Sequence, residues 1–170
     1  MINSFETLAF YRGISSQTSI EHPSVRNVRK DRIPRNMPQE IHDRADAWFN
    51  EKFGVRYRSQ ALFVTSSMFI ATNYATTPEN VVRVIPIGPY RYCWSKKCSD
   101  LLFFKASENK ITIEGYLNDS DYIETDLADA FSSGNEVMLY CEQYVAIPLR
   151  LLQTKESETA AKEKSVLILA

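Results

Sequence analysis

Glycine and cysteine are scarce in this 170-residue chain, and long apolar runs are missing altogether. Its five glycines are too few and too scattered for a Gly-rich phosphate loop or a dinucleotide-binding fingerprint. The three cysteines, Cys93, Cys98 and Cys141, are an odd and sparse set. Secreted disulfide scaffolds carry denser, even sets, so a reducing cytoplasm is the expected compartment. Cys93 and Cys98 lack a second pair or a nearby histidine, so no metal site is expected. No stretch approaches the roughly 20 apolar residues of a membrane span, and no membrane partner is expected. The first ten residues include Glu6 and lack a basic start before an apolar run, so they are not expected to be a signal peptide. No serine sits in a nucleophile elbow, which argues against a Ser-His-Asp hydrolase.

What is present fits one folded domain over residues 1–170: 44% apolar and 12% aromatic residues are enough for a core. The formal charge of −1 points neither to nucleic acid nor to a membrane surface, though local patches are compatible with it.

The pattern along the chain predicts a short strand over residues 8–13, ending at Gly13, and then a polar loop from about residue 15 to 37. That loop carries Arg26, Arg29, Lys30, Arg32 and Arg35, either a solvated face or an arm aimed at a phosphate or a target. Residues 38–53 read as the main helix. Pro38 suits its first turn, Ile41, Ala45, Trp48, Phe49 and Phe53 share a face, and Gly54 stops it. Strands are expected over 58–64, 81–86, 99–104, 110–116, 136–140 and 144–151, the run 99–104 being open to a helical reading. Residues 68–74 read as a short helix and 121–131 as helical in part. Residues 154–164 read as a helix or exposed tail, and 166–170 as an edge strand. A helix near the start and strands beyond it predict an α+β fold with a mostly antiparallel sheet.

Three features carry candidate chemistry. Arg12 beside Gly13 at a strand end offers a fork of donors to a phosphate, and glycine lets backbone approach a ligand. The triplet Thr65-Ser66-Ser67 ends a middle strand with hydroxyls suited to orienting a carboxylate. Glu136 opens the apolar run Val137-Met138-Leu139, where an acid is poorly tolerated unless it faces a site. Taken singly, each has an ordinary reading: a surface arginine, strand-end hydroxyls, an edge acid.

Together, Phe10-Tyr11-Arg12-Gly13, Phe63-Val64-Thr65-Ser66-Ser67 and Gly134-Asn135-Glu136-Val137-Met138-Leu139 resemble a known pattern. It is that of mono-ADP-ribosyltransferases of the diphtheria-toxin superfamily, in the branch marked by arginine, Ser-Thr-Ser and glutamate. The resemblance implies a split antiparallel β-sheet core with an N-terminal helix packed on it, and NAD as substrate without a metal. It implies that Arg12 holds a phosphate of NAD, Thr65 steadies Glu136 by a hydrogen bond, and Ser66 and Ser67 complete the strand end. Glu136 would grip the ribose hydroxyl and stabilise the cation that forms as nicotinamide leaves. Gly13 would offer backbone atoms to the nicotinamide amide, and Phe69 or Tyr74 would pack on that ring unless they are core residues. Phe131 resembles the aromatic of the family's target-recognition loop.

The chain departs from the family twice. Threonine stands where the triplet begins with serine, and Gly134 stands where arginine-directed members carry a glutamate. Ordinary arginine transfer is therefore not expected, and the acceptor, protein or nucleic acid, stays open. The sister branch that uses histidine and tyrosines fits poorly, because His22 and His42 lie in a loop and on a helix. A catalytically silent binding protein of the same fold and an NAD glycohydrolase are the alternatives. Family habit points to a bacteriophage or bacterial effector acting in a host cytoplasm.

Overall fold

The computed structural model describes residues 3–16 and 18–153. Phe10–Gly13 (β1), Ser24–Asn27 (β2), Val81–Ile87 (β4) and Gln143–Pro148 (β8) form one antiparallel sheet in the order β1-β4-β8-β2. Leu62–Val64 (β3), Arg91–Ser95 (β5), Tyr122–Ile123 (β6) and Val137–Tyr140 (β7) form a second, ordered β3-β7-β5-β6. The helices include Gln39–Phe53 (α1), Tyr57–Gln60 (α2), Met68–Thr72 (α3), Ile113–Asp119 (α4) and Leu127–Ser133 (α5); residues 149–153 are helical as well, so the strand expected over 144–151 ends at Pro148. This is a mixed α+β architecture with two antiparallel sheets.

The second sheet is covered on both faces. In β7, Val137 and Leu139 point into a core shared with Phe10, Val82, Val84 and Trp94. Met138, with the opposite pleat, packs with Ala45 and Phe49 of α1 and Ile113 and Leu117 of α4. Burial on two sides explains why β7 reads as an unbroken apolar run rather than an alternating one. Each such aliphatic side chain removed from water contributes about 1.5–3 kcal/mol.

α1 forms where expected. Ala45 and Phe49, one turn apart, reach the core, and Gly54 closes the helix in the left-handed conformation (φ 71°) with its N–H on the Asn50 carbonyl at 2.8 Å. Elsewhere the pattern misleads. Residues 113–119 are helix, not strand: Thr112 Oγ1 caps α4 by accepting from Gly115 N, and Ile113 and Leu117 fall one turn apart. Residues 101–106 form a 3-10 turn capped by Asp100, the helical alternative for that run. Of the run 58–64, only Leu62–Val64 is strand, because residues 57–60 wind into α2. β2 lies inside the stretch read as loop, and β5 was not foreseen. β4 runs through Pro86 rather than stopping there. Its pairing with β1 ends at Val84, so near the proline β4 has a neighbour, β8, on one side only. The expectations for residues 154–164 and 166–170 lie outside the described residues.

Among the described residues, no helix is long and apolar enough to cross a membrane.

Candidate active site

The two sheets meet edge to edge at one point. Tyr11 N donates to the Thr65 carbonyl at 2.7 Å, and Thr65 N returns a bond to the Tyr11 carbonyl at 3.0 Å. This isolated bridge joins β1 to the end of β3, so Arg12 and the hydroxyl triplet become neighbours although they are distant in sequence. Arg12 Nη1 donates to the Phe63 carbonyl at 3.0 Å. Across the second sheet, Val64 pairs with Val137, so the next position on each strand brings Thr65 toward Glu136. The three motifs therefore converge.

Their bonding differs from what the resemblance implied. Thr65 Oγ1 donates to the Gly134 carbonyl at 2.7 Å and accepts from Ser67 N. A hydroxyl has one proton, so Thr65 does not donate to Glu136. Ser66 Oγ donates to the Phe131 carbonyl at 2.5 Å, and Ser67 caps α3 by accepting from Ile70 N. Thr65 and Ser66 thus clamp the backbone of residues 131–134 just ahead of Glu136, while Ser67 holds the start of α3. Gly134 ends α5 with φ 71°, a conformation that costs an L side chain roughly 1 kcal/mol or more. That supplies a physical reason for glycine at this position.

Glu136 Oε1 instead accepts from Arg58 Nη1 at 3.0 Å, an ion pair whose side chains are 19% and 7% exposed. Arg58 is held from behind. Buried Asp46 of α1 accepts from Arg58 N at 3.0 Å and from Ser59 N at 3.1 Å. The Arg58 guanidinium lies 4.4 Å from the Phe63 ring centre, and that of Arg32 lies 3.9 Å from the same ring. Arg32 is tied down by its own N–H on the Ser59 carbonyl. Part of the basic loop thus folds into the site, while Arg29 stays outside and pairs with Asp31. Among the described residues, Arg32 Nη1 and Arg58 Nε are buried without hydrogen-bond partners.

Three arginines around one carboxylate leave an excess of positive charge. Burial first, then Arg12 and Arg58, push the Arg32 guanidinium down to about 10. Burial likewise lowers Arg12, with Arg35 adding to it and Tyr144 and Glu136 opposing. Glu136 is raised above the ordinary carboxylate value. Burial is the largest cause and Asp100 adds to it, while Arg58 and Arg32 pull the other way. Desolvation outweighs the pairing, as it commonly does for ion pairs below the surface.

The remaining candidates divide. Phe69 is 77% exposed and Tyr74 49%, so neither is the core residue the alternative reading allowed; the Tyr74 hydroxyl donates to Asp100 Oδ2 at 2.7 Å. Phe131 is half-buried: it packs against the core and sets its ring edge-on to Phe10 at 5.8 Å. Gly13 is buried, and the backbone of residues 71–75 leans directly on it. Arg58 escaped sequence reasoning because it heads a strand-like run and belongs to no motif. A cavity of about 340 Å³ lies between Ile41 and Arg44 of α1 and the stretch 104–113, and none of the motif residues lines it. No group of His, Cys, Asp or Glu among the described residues is placed to hold a metal ion.

Compared with known protein families, curated proteins and solved structures, the chain matches none.

Proposed function

We propose that the chain is an NAD-dependent mono-ADP-ribosyltransferase with an ADP-ribosyltransferase-like split sheet. The observation that carries this reading is the meeting of Arg12, the clamped Thr65-Ser66-Ser67 turn and Glu136 where the two sheets join. A site with Arg12, Arg32 and Arg58 around a single carboxylate suits a substrate that brings its own negative charge, such as the diphosphate of NAD. Glu136 Oε1 is engaged by Arg58, and Oε2 is left to accept from a ribose hydroxyl. As the bond from ribose C1′ to the nicotinamide nitrogen breaks, its electron pair neutralises the pyridinium. The carboxylate stabilises the cation left on the ribose. An acceptor heteroatom then bonds to C1′ and gives up its proton. Phe69, exposed just beyond the triplet, is suited to cover the departing ring.

Gly134 supplies no acceptor-activating side chain, so the acceptor is a macromolecule other than arginine presented in the family's usual way. The three cysteines are free thiols, which fits a reducing cytoplasm, that of a host cell if the chain is an effector. One observation favours a silent binding protein instead: all three hydroxyls of the triplet bond to the chain's own backbone.

Incubation with NAD labelled in the adenosine and in the nicotinamide separates the readings. We expect nicotinamide release and adenosine label on a macromolecule of a cell lysate, with both lost in Glu136→Gln. Release without label on any macromolecule would mean hydrolysis. No release by the wild type would leave the silent binder.

A further inference from the structure

Arg58 belongs to none of the three motifs, yet it makes the hydrogen bond to Glu136 that Thr65 does not. We propose that Arg58 is a positioning residue, whose Nη1 fixes the Glu136 carboxylate through Oε1 and turns Oε2 to the substrate. Only the substrate's identity in this inference rests on the NAD reading.

The geometry is that of a built support. The Arg58 main chain is pinned by Asp46, its guanidinium is stacked on Phe63, and Nη1 also lies 3.8 Å from Sδ of Met138 on β7. Few rotamers are left to it. Arg12 directs Nη1 to the Phe63 carbonyl and Arg32 stacks on the Phe63 ring, whereas Arg58 is the cation in hydrogen-bond contact with the carboxylate. A guanidinium does more here than a hydroxyl would, because it both orients the carboxylate and opposes the protonation that burial favours.

Other groups act on Glu136 from each neighbouring element. They are Arg12 of β1, Arg32 of the basic loop, Tyr74 beyond α3, Asp100 ahead of the 3-10 turn and Tyr122 of β6. His42 of α1 stands beside Arg58 and is held below its usual value by burial and then by that cation. Without Arg58, burial and Asp100 act against Arg32 and Arg12 alone, and the carboxyl keeps its proton to higher pH.

The test is a carboxyl-carbon NMR titration of the full chain labelled at glutamate, with the Glu136 signal identified by its loss in Glu136→Gln. The Glu136 midpoint should move to higher pH in Arg58→Gln and return most of the way in Arg58→Lys. Nicotinamide release, measured in parallel, should show kcat for Arg58→Gln down about 10²-fold, the order expected for misplacing a reacting group by about 1 Å. Its acid limb should move upward, and KM for NAD should change far less. Circular dichroism establishes folding. Should Arg58→Gln not fold, Arg58→Met keeps the packing on Phe63 and repeats the measurement. An unmoved Glu136 midpoint overturns the proposal. So does a raised KM with kcat and acid limb unchanged, which would make Arg58 a contact to the substrate's phosphate. If the wild type releases no nicotinamide, the NAD reading fails, and the carboxyl titration still decides the role of Arg58.

Discussion

Gly13→Ala tests the junction that brings the site together. A methyl group at Gly13 would stand 2.1 Å from the Ala71 carbonyl oxygen, 2.5 Å from Ala75 N and 2.7 Å from the Tyr74 carbonyl carbon. All three are backbone atoms, so no side chain can swing aside. Ordinary contact begins near 3.4 Å, and the end of α3 would have to withdraw by about 1.3 Å. Gly13 is not among the residues with positive φ, so the penalty is crowding and not backbone strain. Overpacking of this kind costs about 1–3 kcal/mol. In a chain of this size that lowers Tm by about 2–12 °C, at roughly 2–4 °C per kcal/mol. The withdrawal also pulls on Ser67, which caps α3, and on Thr65, which holds the Gly134 carbonyl. Nicotinamide release should therefore fall along with stability. Urea unfolding followed by fluorescence of the buried Trp94 measures the first effect, with an unchanged m value and a lower midpoint. A loss below about 0.5 kcal/mol, the range of ordinary surface substitutions, would refute so close an approach of β1 and α3.

Two further outcomes follow from the site. Phe69→Ala should leave the unfolding free energy within about 0.5 kcal/mol of wild type, because the ring is 77% exposed, yet raise KM for NAD; equal KM values would remove Phe69 from the substrate site. For Glu136, burial raises the folded carboxyl above 4.5, so the folded state holds this proton more tightly than the unfolded chain. Its contribution to stability is complete below that value and is lost as pH rises through the higher folded one. The stability of wild type relative to Glu136→Gln should therefore decline as pH rises above about 4.5, and a flat difference would contradict the assignment.

Some of this protein can be read locally. The α1 helix follows from apolar residues one turn apart and a stopping glycine, and the apolar run 137–140 announces a buried strand. The order of arginine, hydroxyl triplet and glutamate is legible because each motif is a few contiguous residues. Short apolar runs are not legible in the same way. Residues 113–119 fit either period until packing decides, and there Ile113 and Leu117 reach the α1 side of the core only as a helix.

The sequence by itself determined an α+β chain and named Arg12, Thr65 and Glu136 as candidates. Only the tertiary structure decided what those residues touch. Thr65 meets a carbonyl 69 positions away, and Glu136 meets an arginine 78 positions away that no motif marks. Such contacts are set by strand register and by the bonds from Asp46 of α1 that fix the main chain of Arg58 and Ser59. Those depend on the whole packed core, whereas periodicity and propensity report only on near neighbours.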